Sequence, residues 1–150
     1  MPFIGGVYSF GDVVIAFAST LVEPMSFSGP LGTVRMEVSM LTTRSNMEMC
    51  ADGYAFISSM KGDNGQITIE TTQDSAIHQF FTSFMNALIA AQNNNDVTNW
   101  ASATLSIRSV TTNTGHVLTG LCPTKQPNTP YAAQGGHCTW EFLAANVVNQ

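Results

Sequence analysis

Alternating apolar and polar residues recur along most of this chain and give way to helical spacing in one place only. Residues 33–41 read TVRMEVSML and residues 66–72 read QITIETT, so apolar residues fall at every second position through much of both segments. A period of two residues predicts β-strands that bury one face. We therefore expect a mainly β chain, built as a β-sandwich or small barrel with one packed α-helix.

Turn signals divide the alternating region into short strands. ADG at 51–53 and KGDNG at 61–65 are sequences of the kind that join consecutive antiparallel strands, so residues 33–72 are predicted to form a meander. Strands are predicted at 8–20, 33–41, 46–50, 54–60, 66–72, 100–110, 116–122 and 137–144, loops at 24–32 and 123–136, and a strand or arm at the C-terminal end. At 150 residues, the chain is expected to form one domain, 1–150.

The predicted helix carries no charged residue between Ser75 and Asn95. Either Asp74 or Ser75 can cap its N-terminus. Its core-facing stripe is predicted from apolar residues that recur at i, i+3, i+4 and i+7, namely Ile77, Phe80, Phe81, Phe84, Met85 and Leu88. The opposite face consists of Gln79, Thr82, Ser83, Asn86 and Ala90, and it can rest against another protein without burying a charge.

The chain is unusually poor in charge for one that folds. Charged residues make up 10% of it, against roughly 25% in an average domain, while apolar residues make up 44%. The simplest explanation is that much of the surface meets other protein, and a compositional habit of the host is the alternative. The net charge of −5 and the scattered basic residues exclude a nucleic-acid-binding protein that neutralises phosphates.

The chemistry-bearing residues do not form a convincing active site. GVYSFG at 6–11 departs from the nucleophile motif GxSxG, because Val7 stands where glycine is required. Glu37, Glu48 and Glu70 are carboxylates of one strand parity, but a polar sheet face explains them better than glycosidic acid–base chemistry. The three histidines and three cysteines lack metal-site spacing, and the cysteines are predicted to be buried thiols. We expect no catalytic residue, no metal and no cofactor.

No basic segment precedes Arg35 and no apolar run is long enough to cross a membrane, so a soluble protein with no membrane partner is expected. The polar face of the predicted meander should therefore see water. Its members are Arg35, Glu37, Ser39, Glu48, Gln66, Thr68 and Glu70. Strand edges must be paired, covered or charged, and one solution is to pair them between copies and close a ring. Such a ring would have a wet, mildly acidic inner wall.

Several motifs together resemble the tail tube proteins of contractile-tailed bacteriophages. They are YSFGDVV near the start, Ala51-Asp52-Gly53, the glycine-led strand from Gly65 to Thr72, Lys125-Gln126-Pro127, and Gly135-Gly136 before Trp140. The order and spacing of these motifs carry the resemblance, which covers nearly the whole chain.

The resemblance implies a structural virion protein, assembled in the host cytoplasm. Hexameric rings would stack into a hollow tail tube, with four strands per subunit in a shared inner β-barrel and the helix outside. The implied partners are further copies of the chain, the tail sheath, the tape-measure protein, and the baseplate and tail-terminator proteins. DNA would pass through the lumen without specific binding. The candidates to line it are the seven residues of the polar face, Arg35, Glu37, Ser39, Glu48, Gln66, Thr68 and Glu70.

A second interpretation is a small β-sandwich binding module of a phage baseplate or fibre. Such a module needs exposed aromatic residues clustered at one end of the sandwich. Trp100, Tyr131 and Trp140 are the candidates.

Overall fold

The computed structural model describes residues 11, 13–21, 23–28, 32–110 and 112–150. Residues 8–10 and 12 of the first predicted strand lie outside the described residues. The elements, in chain order, are β1 Val13–Ala18, β2 Met25–Ser28, β3 Thr33–Met40, β4 Ser45–Met49, β5 Ala55–Ser59, β6 Gly65–Thr72, α1 Ala76–Asn93, β7 Ala103–Ser109, β8 Thr114–Pro123, β9 His137–Ala144 and β10 Asn146–Asn149.

Eight of the strands form one antiparallel sheet whose two halves share β8. The order is β2-β1-β7-β8-β9-β6-β3, and β10 also pairs with β8. Most of β8 pairs with β7, whereas its last residues, Cys122 and Pro123, pair with Leu143 and Phe142 of β9. Side chains from both halves and from α1 enter one continuous hydrophobic core. The predicted mainly β fold with a single packed helix is confirmed for the described part of the chain.

The helix contributes the aromatic centre of this core. Five of its six stripe residues are buried, and Phe80 is half-buried against the same core. The ring of Phe17 on β1 meets the rings of Phe80, Phe81 and Phe84 edge-on, at centroid distances of 5.3, 5.8 and 5.0 Å. Burying one such side chain stabilises a fold by about 1.5–3 kcal/mol, so this stripe fixes the helix to the sheet.

Ser75, rather than Asp74, caps the helix. Its Oγ accepts a hydrogen bond from the backbone N–H of His78 at 3.1 Å and donates one to the carbonyl oxygen of Thr72 at 2.9 Å. Asp74 is exposed. The cap therefore satisfies a free helix N–H and also ties the helix to the end of β6.

The predicted meander is wrong in its pairing. β4 and β5 pair only with each other and form a separate two-stranded sheet. β6 instead pairs along its whole length with β3 on one side and β9 on the other. Residues 41–44, LTTR, break the alternation between β3 and β4. In the structure β3 pairs with β6 rather than with β4, and β6 pairs with β9 rather than with β5.

Two further expectations fail locally. The register shifts between Thr33 and Arg35, so Val34 lies in a bulge and is exposed, and Met40 is also exposed at the end of β3. Met36 and Val38 are half-buried against the core, so only the middle of this apolar face packs inward. The predicted loop at 24–32 contains the short strand β2, because residues 25–28 pair with the edge of β1.

Candidate functional site

The sheet face opposite the core is a continuous polar surface, which we call the polar wall. It spans the three adjacent strands β3, β6 and β9, whose other faces carry core residues such as Ile67 and Trp140. Since successive side chains of a strand alternate between the two faces, the register assigns the wall its members. They are Arg35, Glu37, Ser39, Gln66, Thr68, Glu70, Thr72, His137, Thr139 and Glu141, and one apolar residue, Leu143, lies beside Gln66 at the end of the wall.

Strand register orders the wall into rows. One row is Glu37, Thr68 and Glu141, and the next is Arg35, Glu70 and Thr139. Neighbours in such rows lie roughly 4.5–5.5 Å apart at Cβ, so side chains interact across the strands.

Two polar contacts join side chains of the wall, one along β3 and one between β6 and β9. The Arg35 guanidinium forms an exposed ion pair with the Glu37 carboxylate. His137 Nδ1 lies 3.0 Å from Glu70 Oε1, in hydrogen-bonding range. Three carboxylates on the wall outnumber its single guanidinium, so the wall is mildly acidic when its histidine is neutral. Lys125 borders it from the loop before β9, beside His137 and Glu141.

The structure brings together six of the seven residues predicted for a polar face, all except Glu48. Glu48 lies on β4, opposite Phe56, and belongs to the separate hairpin. Sequence reasoning missed Thr72 at the end of β6, and it missed His137, Thr139 and Glu141, which join the wall because β9 pairs with β6. The alternation of Cys138, Trp140 and Phe142 in the sequence already gave their orientation. It could not reveal the partner strand, which lies nearly seventy positions earlier; Glu70 and His137, for example, are 67 positions apart.

The β4–β5 hairpin is the second notable surface. Met47, Ile57 and Phe56 are 62%, 62% and 55% exposed, and Met49 and Tyr54 are exposed to a similar degree. Met47 pairs with Ile57 and Met49 with Ala55, so one face of the hairpin is apolar apart from the Ser45–Ser59 pair at its base. An exposed apolar surface of this kind marks an interaction site.

The hairpin is well formed despite its exposure. At its tip, the Cys50 N–H donates to Tyr54 O at 2.8 Å and the Asp52 carboxylate accepts from the Tyr54 N–H at 3.0 Å. Gly53 adopts φ +85°, a conformation that disfavours side chains, which explains the Ala-Asp-Gly turn. At its base, Met60 N–H donates to Arg44 O at 2.7 Å, and the side chains of Arg44 and Asp63 form an ion pair. The hairpin is therefore anchored at one end and unpacked at the other.

The outward face of α1 matches the predicted uncharged surface. Gln79, Ser83, Asn86 and Ala90 are exposed. Thr82 is half-buried, and its hydroxyl donates to the carbonyl oxygen of His78 at 2.8 Å. The face is polar and uncharged, so it can meet another protein at little cost in desolvation.

The remaining candidate residues lie apart. Tyr131 is 91% exposed, whereas Trp140 is fully buried and Trp100 packs against the core, so the aromatic cluster of a binding module is absent from the described residues. Cys50 is exposed, contrary to the expectation of buried thiols, while Cys138 is buried and burial raises the pKa of Cys122. Within the described ranges, no three His, Cys, Asp or Glu side chains converge as metal ligands. The one described helix is not apolar enough to cross a membrane.

Comparison with solved structures finds the same fold in contractile injection systems. A chain in the anti-feeding prophage baseplate, solved with 6-fold symmetrisation, superposes with a TM-score of 0.59 at 12% identity, covering 100% of this chain and 96% of that chain. A chain of the PVC sheath–tube complex in its extended state gives 0.58 at 11% identity, with coverages of 96% and 91%. A chain of the PVC sheath/tube terminator gives 0.58 at 10% identity, with 99% of both chains covered. At these identities the likeness establishes the fold alone.

Sequence comparison establishes the family. No curated protein matches this sequence. The family model described as bacteriophage PhiTE tail tube protein matches residues 6–149, which is nearly the whole chain. The resemblance seen in the motifs is thereby confirmed, as is the expectation of a structural protein rather than an enzyme. The chain belongs to the bacteriophage PhiTE tail tube protein family.

Proposed function

We propose that this tail tube protein closes into hexameric rings, that the rings stack into the hollow inner tube of a contractile tail, and that the polar wall lines the lumen. The observation that carries the proposal is the position of the wall. It lies on β3, β6 and β9, directly behind the core, and β3 is the terminal strand of the described sheet. Pairing that edge with a neighbouring copy would extend the wall from subunit to subunit and cover the free edge of β3.

A lumen of this composition suits the passage of DNA. The wall has an excess of carboxylates over guanidinium groups, and its remaining positions are hydroxyl or amide side chains, apart from His137 and Leu143. Phosphates are repelled by this charge, and no cluster of lysine or arginine offers the counterion release that gives affinity for DNA. The genome would slide through during infection, after release of a tape-measure protein that had filled the tube.

The apolar hairpin is assigned to contacts between copies of the chain. Its exposed methionine, isoleucine and aromatic side chains need a partner. In a stacked tube, the adjacent ring places a second copy of the chain next to each subunit.

The uncharged outer face of α1 is assigned to the tail sheath, because it lies on the opposite side of the core from the wall. The similarity to chains from sheath–tube, baseplate and terminator assemblies supports sheath, baseplate and terminator proteins as partners here. The proposal also includes assembly in the host cytoplasm.

Electron microscopy of the purified protein tests the proposal. Concentrated protein should form rings or hollow tubes, and a helical reconstruction should place Glu37, Glu70 and Glu141 on the inner surface. Monodisperse small particles at every concentration and salt, even with baseplate seeds added, would contradict the assembly. A reconstruction with the wall on the outer surface would contradict the lumen assignment alone.

A charge reversal tests the role of the wall in DNA passage. Tubes of the Glu141→Lys variant, assembled with short DNA duplexes, should retain DNA that nuclease cannot reach. Glu141→Gln is the neutral control, and Asn86→Lys places the same charge on the helix outside the tube. Equal protection in the Glu141→Lys and Asn86→Lys tubes would refute a lumenal position for Glu141.

A further inference from the structure

One histidine of this protein lies at the junction between the helix and the sheet. The indole Nε1–H of Trp140 donates a hydrogen bond to Nδ1 of His78 at 3.1 Å, and the two ring centroids are 5.8 Å apart. Trp140 is fully buried on β9, and His78 is half-buried in the first turn of α1. This bond therefore joins the first turn of α1 to β9, one of the three strands that carry the polar wall.

The donor identity fixes the protonation state of the histidine. An indole nitrogen can only donate, so Nδ1 of His78 must carry a lone pair and the ring must be neutral. A protonated imidazole presents N–H groups at both nitrogens, and the buried Trp140 N–H would then face a donor and lose its acceptor. A buried donor left without a partner is costly.

Three features of the site oppose a positive charge on His78. Its burial lowers the pKa of the imidazole below the ordinary value of 6.5. The residue lies in the first turn of the helix, where the positive end of the helix dipole repels a cation. The Trp140 bond is available only to the neutral ring.

The titratable groups nearby do little to offset these features. Asp74, before the helix, is exposed. On the adjoining strands, His137, Glu141 and Glu70 belong to the polar wall and point away from the core, while Cys138 is a buried thiol on the core side. The loop at 124–136 carries Lys125 and Tyr131, both exposed.

We propose that His78 and Trp140 form an acid-sensitive latch that holds the first turn of α1 against strand β9. Above the unfolded-state pKa of about 6.5, His78 is neutral in both states and the latch contributes in full. As pH falls below that value, the unfolded chain takes up a proton that the folded chain resists, so stability is lost towards the lower folded-state pKa. The junction between the helix and the wall thus loosens in acid, independently of whether the subunits form a tube.

The test compares two full-length proteins at equal concentration, both carrying Trp100→Phe so that Trp140 is the only tryptophan. One retains His78 and the other carries His78→Asn, whose amide oxygen can replace Nδ1 as acceptor and cannot be protonated. Between pH 8 and pH 5, the Tm of the His78 protein should fall by roughly 2–4 °C more than that of the asparagine variant, as expected for loss of about one hydrogen bond in a chain of this size. His116 and His137 are common to both proteins and cancel.

Ultraviolet resonance Raman spectra of the same proteins report the hydrogen bonding of the Trp140 indole N–H and apply to subunits and tubes alike. The N–H should be bonded at pH 8 and become free as the pH falls through the folded-state pKa when His78 is present, and it should stay bonded over the same range in the asparagine variant. If the asparagine variant fails to fold, the spectra of the His78 protein still decide. An unchanged Trp140 band down to the pH at which the His78 protein unfolds, or the same Tm profile in both proteins between pH 8 and pH 5, would overturn the latch.

Discussion

Strand β6 and the β4–β5 hairpin are neighbours in sequence and contain similar strand-forming residues, yet their environments are opposite. In β6, Ile67 and Ile69 are fully buried between two partner strands and beneath the helix. In the hairpin, Met47 and Ile57 pair with each other and contact little else. The difference lies in the partners, since β6 is enclosed by β3 and β9 while each hairpin strand has only the other.

This contrast separates two uses of apolar surface in one chain. The residues under β6 stabilise the subunit itself, because their burial is complete before any partner arrives. The hairpin residues gain nothing comparable in the isolated subunit, since a two-stranded hairpin alone is only marginally stable. Substitutions in the two regions should therefore affect different measurements.

Truncation in the core should have the largest effect on folding. Phe84→Ala removes a ring that is 1% exposed and meets Phe17 edge-on, so the free energy of unfolding should fall by about 3–5 kcal/mol. Phe56→Ala, on the hairpin, is the matched control and should change it by no more than about 0.5 kcal/mol. Urea denaturation of both variants at low protein concentration measures the two free energies of unfolding. Similar losses would show that the hairpin stabilises the isolated subunit as much as the core does.

A charge on the hairpin should act on assembly instead. Ile57→Asp would place an unpaired carboxylate in the proposed contact between copies, and the protein concentration needed for tubes should rise more than tenfold, or about 1.4 kcal/mol. Ile57→Val keeps the apolar surface and should assemble as before. Sedimentation followed by electron microscopy gives the threshold, and normal assembly by the aspartate variant would remove the hairpin from the interface.

The helix cap should have an intermediate effect. Ser75→Ala deletes the hydroxyl that accepts from the His78 N–H, and the free energy of unfolding should fall by about 1 kcal/mol. Asp74→Ala serves as the comparison, and its loss should be smaller because the exposed carboxylate makes no cap. Thermal or urea unfolding of both variants decides between the two residues, and a larger loss in Asp74→Ala would reassign the cap.

The ion pair at the base of the hairpin should matter least. Both side chains of the Arg44–Asp63 pair are more than half exposed, so solvent screens their attraction. Arg44→Ala should lower the free energy of unfolding by no more than about 0.5 kcal/mol, and Arg108→Ala, which removes an exposed bond to Asn113, should do the same. A loss above 1 kcal/mol for Arg44→Ala alone would mean that the hairpin base supports the fold.

The hydrophobic periodicity within a segment was enough to predict which of its side chains face the core. The alternation of QITIETT placed Ile67 and Ile69 inward, and the spacing of the helix stripe placed Phe81, Phe84 and Leu88 in the core. Both are consequences of periodicity, which each segment carries by itself.

The pairing between strands that are distant in the chain could not be predicted from the sequence. Nothing in residues 66–72 names β9 as a partner, so Glu141 was missed as a wall residue and Glu48 was wrongly grouped with Glu37 and Glu70. The exposure of Val34 depends on a bulge against β6, which periodicity within β3 does not encode. In each case, the failure concerns which strands meet rather than which residues form strands.

The pairing of β6 with β9 also determines when this part of the sheet can form during synthesis of the chain. The two strands are linked through residues as far apart as Glu70 and His137, 67 positions along the chain. At a synthesis rate of about 5–20 residues per second, the ribosome needs roughly 3–13 s to make that stretch. During those seconds, the nascent chain has its hairpin but lacks the strand that completes the sheet behind it. Closure of the sheet on this side of β6 therefore waits for the synthesis of β9, so the core beneath β6 is among the last parts of the described fold to be enclosed.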